Sequence, residues 1–356
     1  MRLLLIRLRE IGDVVFTTPA IRGLRRKFPD AHIAYMVEPA AAPVVQGNPH
    51  LDDVIVTAGA RGLAGFFNDL AIIGRVRRGR YDMVVDFHSG PRSSLIAWLS
   101  GARQRIGYDV PGRGWMYTTR VPRPRGIRAR HAVANQWDLL NALGIRTPDP
   151  AESPAEMAVD ARAADSVAAR LLALGVVDQH ELVVLHVSAG NPFRRWPADA
   201  FASLAAMLVR DHPQRRILVV SGPSEKDAAA RVIDMARSRV DAAGKGRVLP
   251  AQDFTLAELR AVMDRAALFV GGDSGPMHIA STSTIPIAAI YGPTLPVRSE
   301  PWRGPQAPSE AAEVDGLECR PCDQRVCVHG DFRCLTWLAP EQVLEAAQRA
   351  LARARG

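Results

Sequence analysis

Short apolar runs alternate with longer amphipathic stretches along almost the whole chain. Residues 2–8, 32–37, 54–56, 83–87 and 105–107 read as buried strands. Between them, residues 17–28, 63–78 and 91–100 carry helical spacing. Pro19 falls at a first helical turn, where its missing N–H would have had no partner anyway. A further amphipathic helix covers 131–143 and stops at Gly144. Residues 147–154 then place three prolines among polar residues, the composition of a linker. The alternation restarts beyond it, with strands at 183–187, 217–221, 268–270 and 287–290 and helices at 201–210, 225–237 and 256–264. A last helix covers 340–354. Strands and helices alternating at this spacing predict an α/β chain of two doubly wound, mostly parallel sheets. The expected domains are 1–150 and 151–338, with residues 339–356 packing back on the first domain. A cleft is expected between the two.

Ligands of such sheets sit at the carboxyl ends of the strands, and the motifs fall there. Gly271-Gly272-Asp273-Ser274-Gly275-Pro276-Met277-His278 follows an apolar run and opens a helix. A strand that breaks into glycines before a helix leaves several backbone N–H groups pointing one way, which suits phosphate. Ser274 adds a hydroxyl and His278 a cation. Taken alone, the stretch is equally an ordinary helix capped by Asp273 or Ser274. Past the first strand, Gly12 permits a tight turn and Asp13 points off the sheet edge. Asp13 is a candidate general base, and equally a candidate N-cap. Residues 186–197 bring Ser188, Arg194 and Arg195 ahead of Trp196-Pro197, small and cationic groups suited to phosphate oxygens. Glu225, after another strand, could accept two ribose hydroxyls or simply favour a helix N-terminus. His88 and His131 are candidates for contact with an acceptor, although a lone histidine at a strand end is more often structural.

The net charge is +8, unevenly spread. Residues 1–150 carry 22 Lys+Arg against 12 Asp+Glu, and the remainder 23 against 25. The basic excess peaks at Arg113, Arg120, Arg123, Arg125, Arg128 and Arg130. Such a patch favours an anionic partner, and with 42 arginines to three lysines some of it reflects composition alone. A nucleic-acid partner is not expected, because no aromatic residues interleave with the charge and no reading helix is recognisable. A dinucleotide-dependent dehydrogenase is disfavoured because Glu10-Ile11-Gly12-Asp13 follows the first strand in place of a Gly-x-Gly-x-x-Gly turn. No apolar run approaches the ~20 residues of a membrane span. The apolar start is closed off by Arg7 and Arg9, too early for a signal peptide. The chain is therefore expected in the cytoplasm.

All four cysteines, Cys319, Cys322, Cys327 and Cys334, lie within one short stretch. Thiols clustered this way in a reducing compartment suggest a metal before a disulfide. A structural zinc is the first expectation. An iron–sulfur cluster and a set of metal-free thiols are the alternatives.

Gly12-Asp13 with Thr17-Thr18-Pro19, the Arg194-Arg195-Trp196-Pro197 loop and the 272–280 stretch together resemble glycosyltransferase family 9, the heptosyltransferases of lipopolysaccharide core assembly. The order and spacing match over nearly the whole chain. The resemblance implies a GT-B fold, two Rossmann-like domains facing a central cleft, with an N-terminal acceptor domain and a C-terminal donor domain. It implies an inverting transfer from ADP-heptose with no cofactor and no divalent metal. Asp13 matches the family's proposed base. Asp273, Ser274, Gly275 and His278 match its diphosphate loop. The family's phosphate-binding lysine is replaced by Arg194, which leaves open whether Arg194 or Arg195 serves. Glu225 and the backbone near Phe254 match the ribose and adenine positions more weakly. Gly12, His88, Arg120 and Arg123 fall on the acceptor side. The implied acceptor is an anionic, lipid-linked glycan, reached by peripheral contact at the cytoplasmic face of the inner membrane. A noncatalytic GT-B protein that binds glycans or nucleotide sugars is the alternative.

Overall fold

The computed structural model describes residues 1–57, 62–123, 130–187, 191–222 and 225–355. The chain divides into two compact units, Met1–Ala158 and Val159–Gly356.

The first unit is built on a six-stranded sheet of β1 (Arg2–Ile6), β2 (His32–Val37), β3 (Asp53–Val56), β4 (Met83–Asp86), β5 (Gln104–Asp109) and β6 (Thr119–Pro122). The order is β3-β2-β1-β4-β5-β6, and every pairing is parallel. Leu3 to Ile6 of β1 are wholly buried, as a central parallel strand covered on both faces requires. Helices Gly62–Arg78 and Pro91–Leu99 lie on the same face, where Ile72, Val76, Ile96 and Ala97 join one core with Leu4, Ile6 and Val84. The order reverses between β1 and β4, so the carboxyl ends of these two strands form the natural crevice.

The second unit holds five parallel strands, β7 (Glu181–His186), β8 (Arg215–Val220), β9 (Leu268–Gly272), β10 (Ile287–Tyr291) and β11 (Ser309–Glu313), in the order β11-β10-β9-β7-β8. Isolated bridges from Ile217 to Val248 and from Val220 to Gln252 add a rudimentary strand beyond β8. The reversal here falls between β7 and β9. Among the described residues, no helix is long and apolar enough to cross a membrane.

Three sequence expectations need correction. The boundary lies after Ala158, later than 150, because residues 151–158 are tied to the first unit. Glu156 donates its N–H to Thr18 Oγ1 (2.9 Å), accepts from Asn48 Nδ2 (3.2 Å) and pairs with Arg22. The final helix, Pro340–Arg355, was expected on the first domain. It buries Val343, Ala346, Ala347, Ala350 and Leu351 in the second unit, in one core with Leu204, Leu208, Ala288 and Ala312. The turn expected at 10–13 is helical, Ile11–Val15. Strands β6 and β11 and helix Ala161–Ala173 were not anticipated.

Removing residues 340–355 should therefore strip the core from the second unit and spare the first. Limited proteolysis of the truncated chain should leave a resistant fragment near residues 1–158. Loss of that fragment would return the helix to the first unit.

Candidate active site

In the first unit, the chain leaves β1 and strains before it turns. Glu10 takes φ 68°, a left-handed value that a non-glycine residue adopts at a cost of order 1 kcal/mol. Gly12, predicted to make the tight turn, is helical, and the strain sits two residues earlier. Asp13 follows in the first turn of helix Ile11–Val15, with its side chain 38 % exposed. Arg7 pairs with the Asp13 carboxylate and donates from Nη1 to the Phe87 carbonyl (3.0 Å). Gln136 Nε2 donates to the Asp13 carbonyl (3.3 Å). Arg7 thus joins the ends of β1 and β4 and fixes the direction of Asp13. The sequence reading used Arg7 only to end an apolar run.

Beyond β4 the loop is organised by Asp86, fully buried. Its Oδ1 accepts from the His88 and Ser89 backbone N–H groups (both 2.9 Å), and its Oδ2 from the Tyr117 hydroxyl (2.7 Å). Burial raises its pKa, and these bonds only partly offset that. Gly107 gives Tyr117 its room, since a Cβ there would fall 2.4 Å from the ring. His88 is half-buried, and its pKa is lowered to about 4 by burial and then by the charges of Arg7, Arg9 and Arg123. It is a neutral imidazole at pH 7. The fold therefore brings Asp13, Gly12 and His88 to one strand-end crevice, with the Arg123 charge felt there. Arg120 lies exposed on edge strand β6. His131 is structural. Its Nδ1 accepts from the Val133 N–H (3.1 Å), capping helix Ala132–Asn141, and its ring meets Phe16 edge-on at 5.2 Å.

In the second unit, the loop after β9 turns its acid inward. Asp273 is buried. It accepts from Thr294 Oγ1 (2.7 Å), lies 3.3 Å from His278 Nε2, and lies 3.4 Å from Arg194 Nη1. Burial alone would raise its pKa, but His278, Arg194 and Thr294 together bring it down to about 2. The carboxylate so held gathers His278, Arg194 and Thr294 around it. Ser274 precedes helix Gly275–Ala280 in extended backbone, and its hydroxyl donates to the Gly272 carbonyl (3.1 Å). His186, at the end of β7, reaches within 3.5 Å of Ser274 Oγ. Burial lowers the pKa of His186 to about 4 against the opposing charge of Glu225. Arg194 Nη1 donates to the Asp273 carbonyl (3.0 Å), and its Nε to Gln324 Oε1 (2.8 Å). The same oxygen accepts from Asn191 Nδ2 (2.7 Å). Arg195 points elsewhere, 3.8 Å from Glu225 Oε1, while Glu225 Oε2 accepts from the Gly222 N–H (3.3 Å). Phe254 lies under the Arg170 guanidinium, whose Cζ stands 4.3 Å from the Phe254 ring centroid. Ser188 lies outside the described residues, as do Arg125 and Arg128.

Gln324 belongs to the cysteine-rich stretch, which the sequence reading kept apart from the site. Phe193 also meets Phe332 of that stretch edge-on at 5.1 Å. The four thiols are free and border one cavity of about 100 Å³ with these two rings. Burial pushes the Cys334 thiol up to about 11. Among the described residues, no three His, Cys, Asp or Glu side chains converge to hold an ion. The four thiols thus share one cavity.

Two doubly wound units of this kind make a GT-B fold. The heptosyltransferase model of glycosyltransferase family 9 matches residues 70–332. The chain is 30 % identical over 307 residues to lipopolysaccharide heptosyltransferase 3 of Escherichia coli K12, covering 83 % of each. It superimposes on the family 9 glycosyl transferase of Veillonella parvula with TM-score 0.85 at 24 % identity, covering 99 % of this chain and 97 % of that one. Against the Escherichia coli heptosyltransferase solved with ADP-2-deoxy-2-fluoro heptose, the TM-score is 0.69 at 18 % identity over 97 % and 99 %. The chain belongs to glycosyltransferase family 9.

Two outcomes follow from this geometry. The Asp273 pKa is depressed from 3.8 to about 2, so its contribution is complete above about pH 4 and fades as pH falls towards 2. Asp273→Asn should cost roughly 2 kcal/mol at neutral pH, with the gap narrowing below pH 4 in denaturant titrations. Gln324→Ala should free the Arg194 side chain and lower stability by only about 1 kcal/mol, the worth of one part-exposed hydrogen bond, as a thermal melt would read.

Proposed function

We propose that the chain transfers heptose from ADP-heptose to an anionic, lipid-linked glycan of the lipopolysaccharide core, at the cytoplasmic face of the inner membrane. The observation that carries this reading is the cluster of buried Asp273 and His278 with the part-exposed Arg194, beside the glycine-rich turn after β9. It presents fixed cationic donors at a strand end, as an anionic leaving group requires. In the proposed step, an acceptor hydroxyl attacks the anomeric carbon from the side opposite the diphosphate. A new C–O bond forms, the bond to the β-phosphate oxygen breaks, and ADP leaves with the electron pair. Asp13 takes the hydroxyl proton, held in direction by Arg7. Arg194, His278 and the N–H groups at Gly275 offset the charge that develops on the diphosphate. Attack from the opposite side inverts the anomeric configuration. The cations on hand make a divalent metal unnecessary, and the cysteines take no part in the step.

With ADP-heptose and a core acceptor, ADP should be released at a rate that chelator leaves unchanged. Asp13→Asn should lower kcat by about 10²–10⁴ while ADP affinity stays within about twofold of wild type, as expected for a group outside the donor site. Full turnover in that variant would remove Asp13 as the base. No ADP release with any acceptor, despite tight ADP binding, would favour the noncatalytic alternative.

A further inference from the structure

Helices Gly62–Arg78 and Pro91–Leu99 bury one side in the first unit's core through Ile72, Val76, Ile96 and Ala97. Their outer sides should be polar, and they are not. Phe67 is 65 % exposed, Trp115 54 % and Trp98 41 %, with Leu70 and Leu95 exposed among them. Leu95 and Trp98 stand three apart on one helix face. The Trp98 ring meets that of Trp115 edge-on at 5.3 Å. Arg92 ties the two helices together through Asp69 at 2.6 Å. Phe67 and Leu70 stand on one of these joined helices, and Leu95 and Trp98, with Trp115 beside them, on the other, so the exposed apolar residues belong to elements that cover one face of the sheet. Cations border it. Arg75, Arg77 and Arg78 close helix Gly62–Arg78 on the solvent side, and Arg103 and Arg120 are exposed nearby in the chain.

We propose that this outer layer is a docking face for an anionic phospholipid surface, with the tryptophans and Phe67 at headgroup depth and the arginines on the lipid phosphates. Amphipathic aromatic rings beside Arg-rich helix ends are what a monotopic surface needs. A second copy of this chain suits the face less, because a twofold contact would set the same arginines against each other. The proposal deepens the lipid-linked acceptor reading. It rests on that reading only for the choice of a membrane as partner.

Flotation with vesicles tests it. Wild type should bind vesicles containing an anionic phospholipid, and bind purely zwitterionic ones much less. A Phe67→Ser, Trp98→Ser, Trp115→Ser variant should lose at least about tenfold in vesicle affinity while ADP release with a soluble, delipidated acceptor is unchanged. An Arg75→Gln, Arg77→Gln, Arg78→Gln variant should flatten the dependence on anionic lipid and on salt. Wild-type binding by the serine variant would overturn the proposal, as would failure of wild type to bind anionic vesicles. A dimer in sedimentation that the serine variant dissolves would assign the face to a second copy and overturn it equally. Failure of sugar transfer alone would sink the catalytic reading and leave the vesicle result standing.

Discussion

A carboxylate withdrawn from water must be met by donors or by opposite charge, and each unit of this chain builds its strand-end crevice around one. Asp86 ends β4, and Asp273 follows β9. Both are buried, and both stand on a strand flanking the reversal of their sheet. They are satisfied in different ways. Asp86 meets backbone N–H groups and a tyrosine hydroxyl, all neutral, and burial wins, so its pKa rises. Asp273 meets a histidine, an arginine and a threonine, and the cations win, so its pKa falls to about 2. The first arrangement stiffens a loop. The second gathers positive charge at one place and holds it there.

That difference bears on Arg194, which stands where the resemblance to family 9 implies a lysine. An ammonium group is a point charge, whereas a guanidinium offers five donors in a planar fork. Arg194 uses Nη1 on Asp273 and Nε on Gln324, so its plane is set from two sides. Arg195 is engaged with Glu225, which separates two neighbouring residues that the sequence left equivalent. The cost of the arrangement is dependence on Gln324, a residue of the cysteine-rich stretch. That stretch therefore bears on the loop of Phe193 and Arg194 through hydrogen bonding and ring packing.

The strands were legible because a parallel sheet covered on both faces makes continuous apolar runs. β11, Ser309–Glu313, was not, because it is an edge strand that buries only Ala312. The final helix was legible as a helix but not in its destination. An amphipathic pattern tells that one face is covered and says nothing of what covers it. The motifs fall on loops at strand ends, but their spacing left the orientation of particular side chains undetermined. The inward turn of Asp273 onto His278, Arg194 and Thr294 had no signal, because spacing cannot show which way a carboxylate turns. Gly12 looked like the strained residue because glycine is the usual choice for positive φ, yet Glu10 carries the strain. Arg7 and Gln324 had no signal, since each acts through a contact distant in sequence.

Helix Gly62–Arg78 marks the limit of pattern reading most clearly. Its sequence, Gly-Leu-Ala-Gly-Phe-Phe-Asn-Asp-Leu-Ala-Ile-Ile-Gly, is apolar nearly all round before the arginines begin. The helical spacing of 63–78 then marks its buried side only weakly. Such a helix is either enclosed by protein on every side or faces something other than water. The fold rules out enclosure among the described residues, because Phe67 and Leu70 are exposed while Ile72 and Val76 hold the core. Folding alone gives no reason to keep a phenylalanine and two tryptophans on an outer surface, where each adds to the risk of aggregation. A chain that carries its basic excess in the same unit has the complementary means to bring that surface against lipid phosphates. The apolar layer and the charge asymmetry therefore have one explanation in common, which neither supplies by itself.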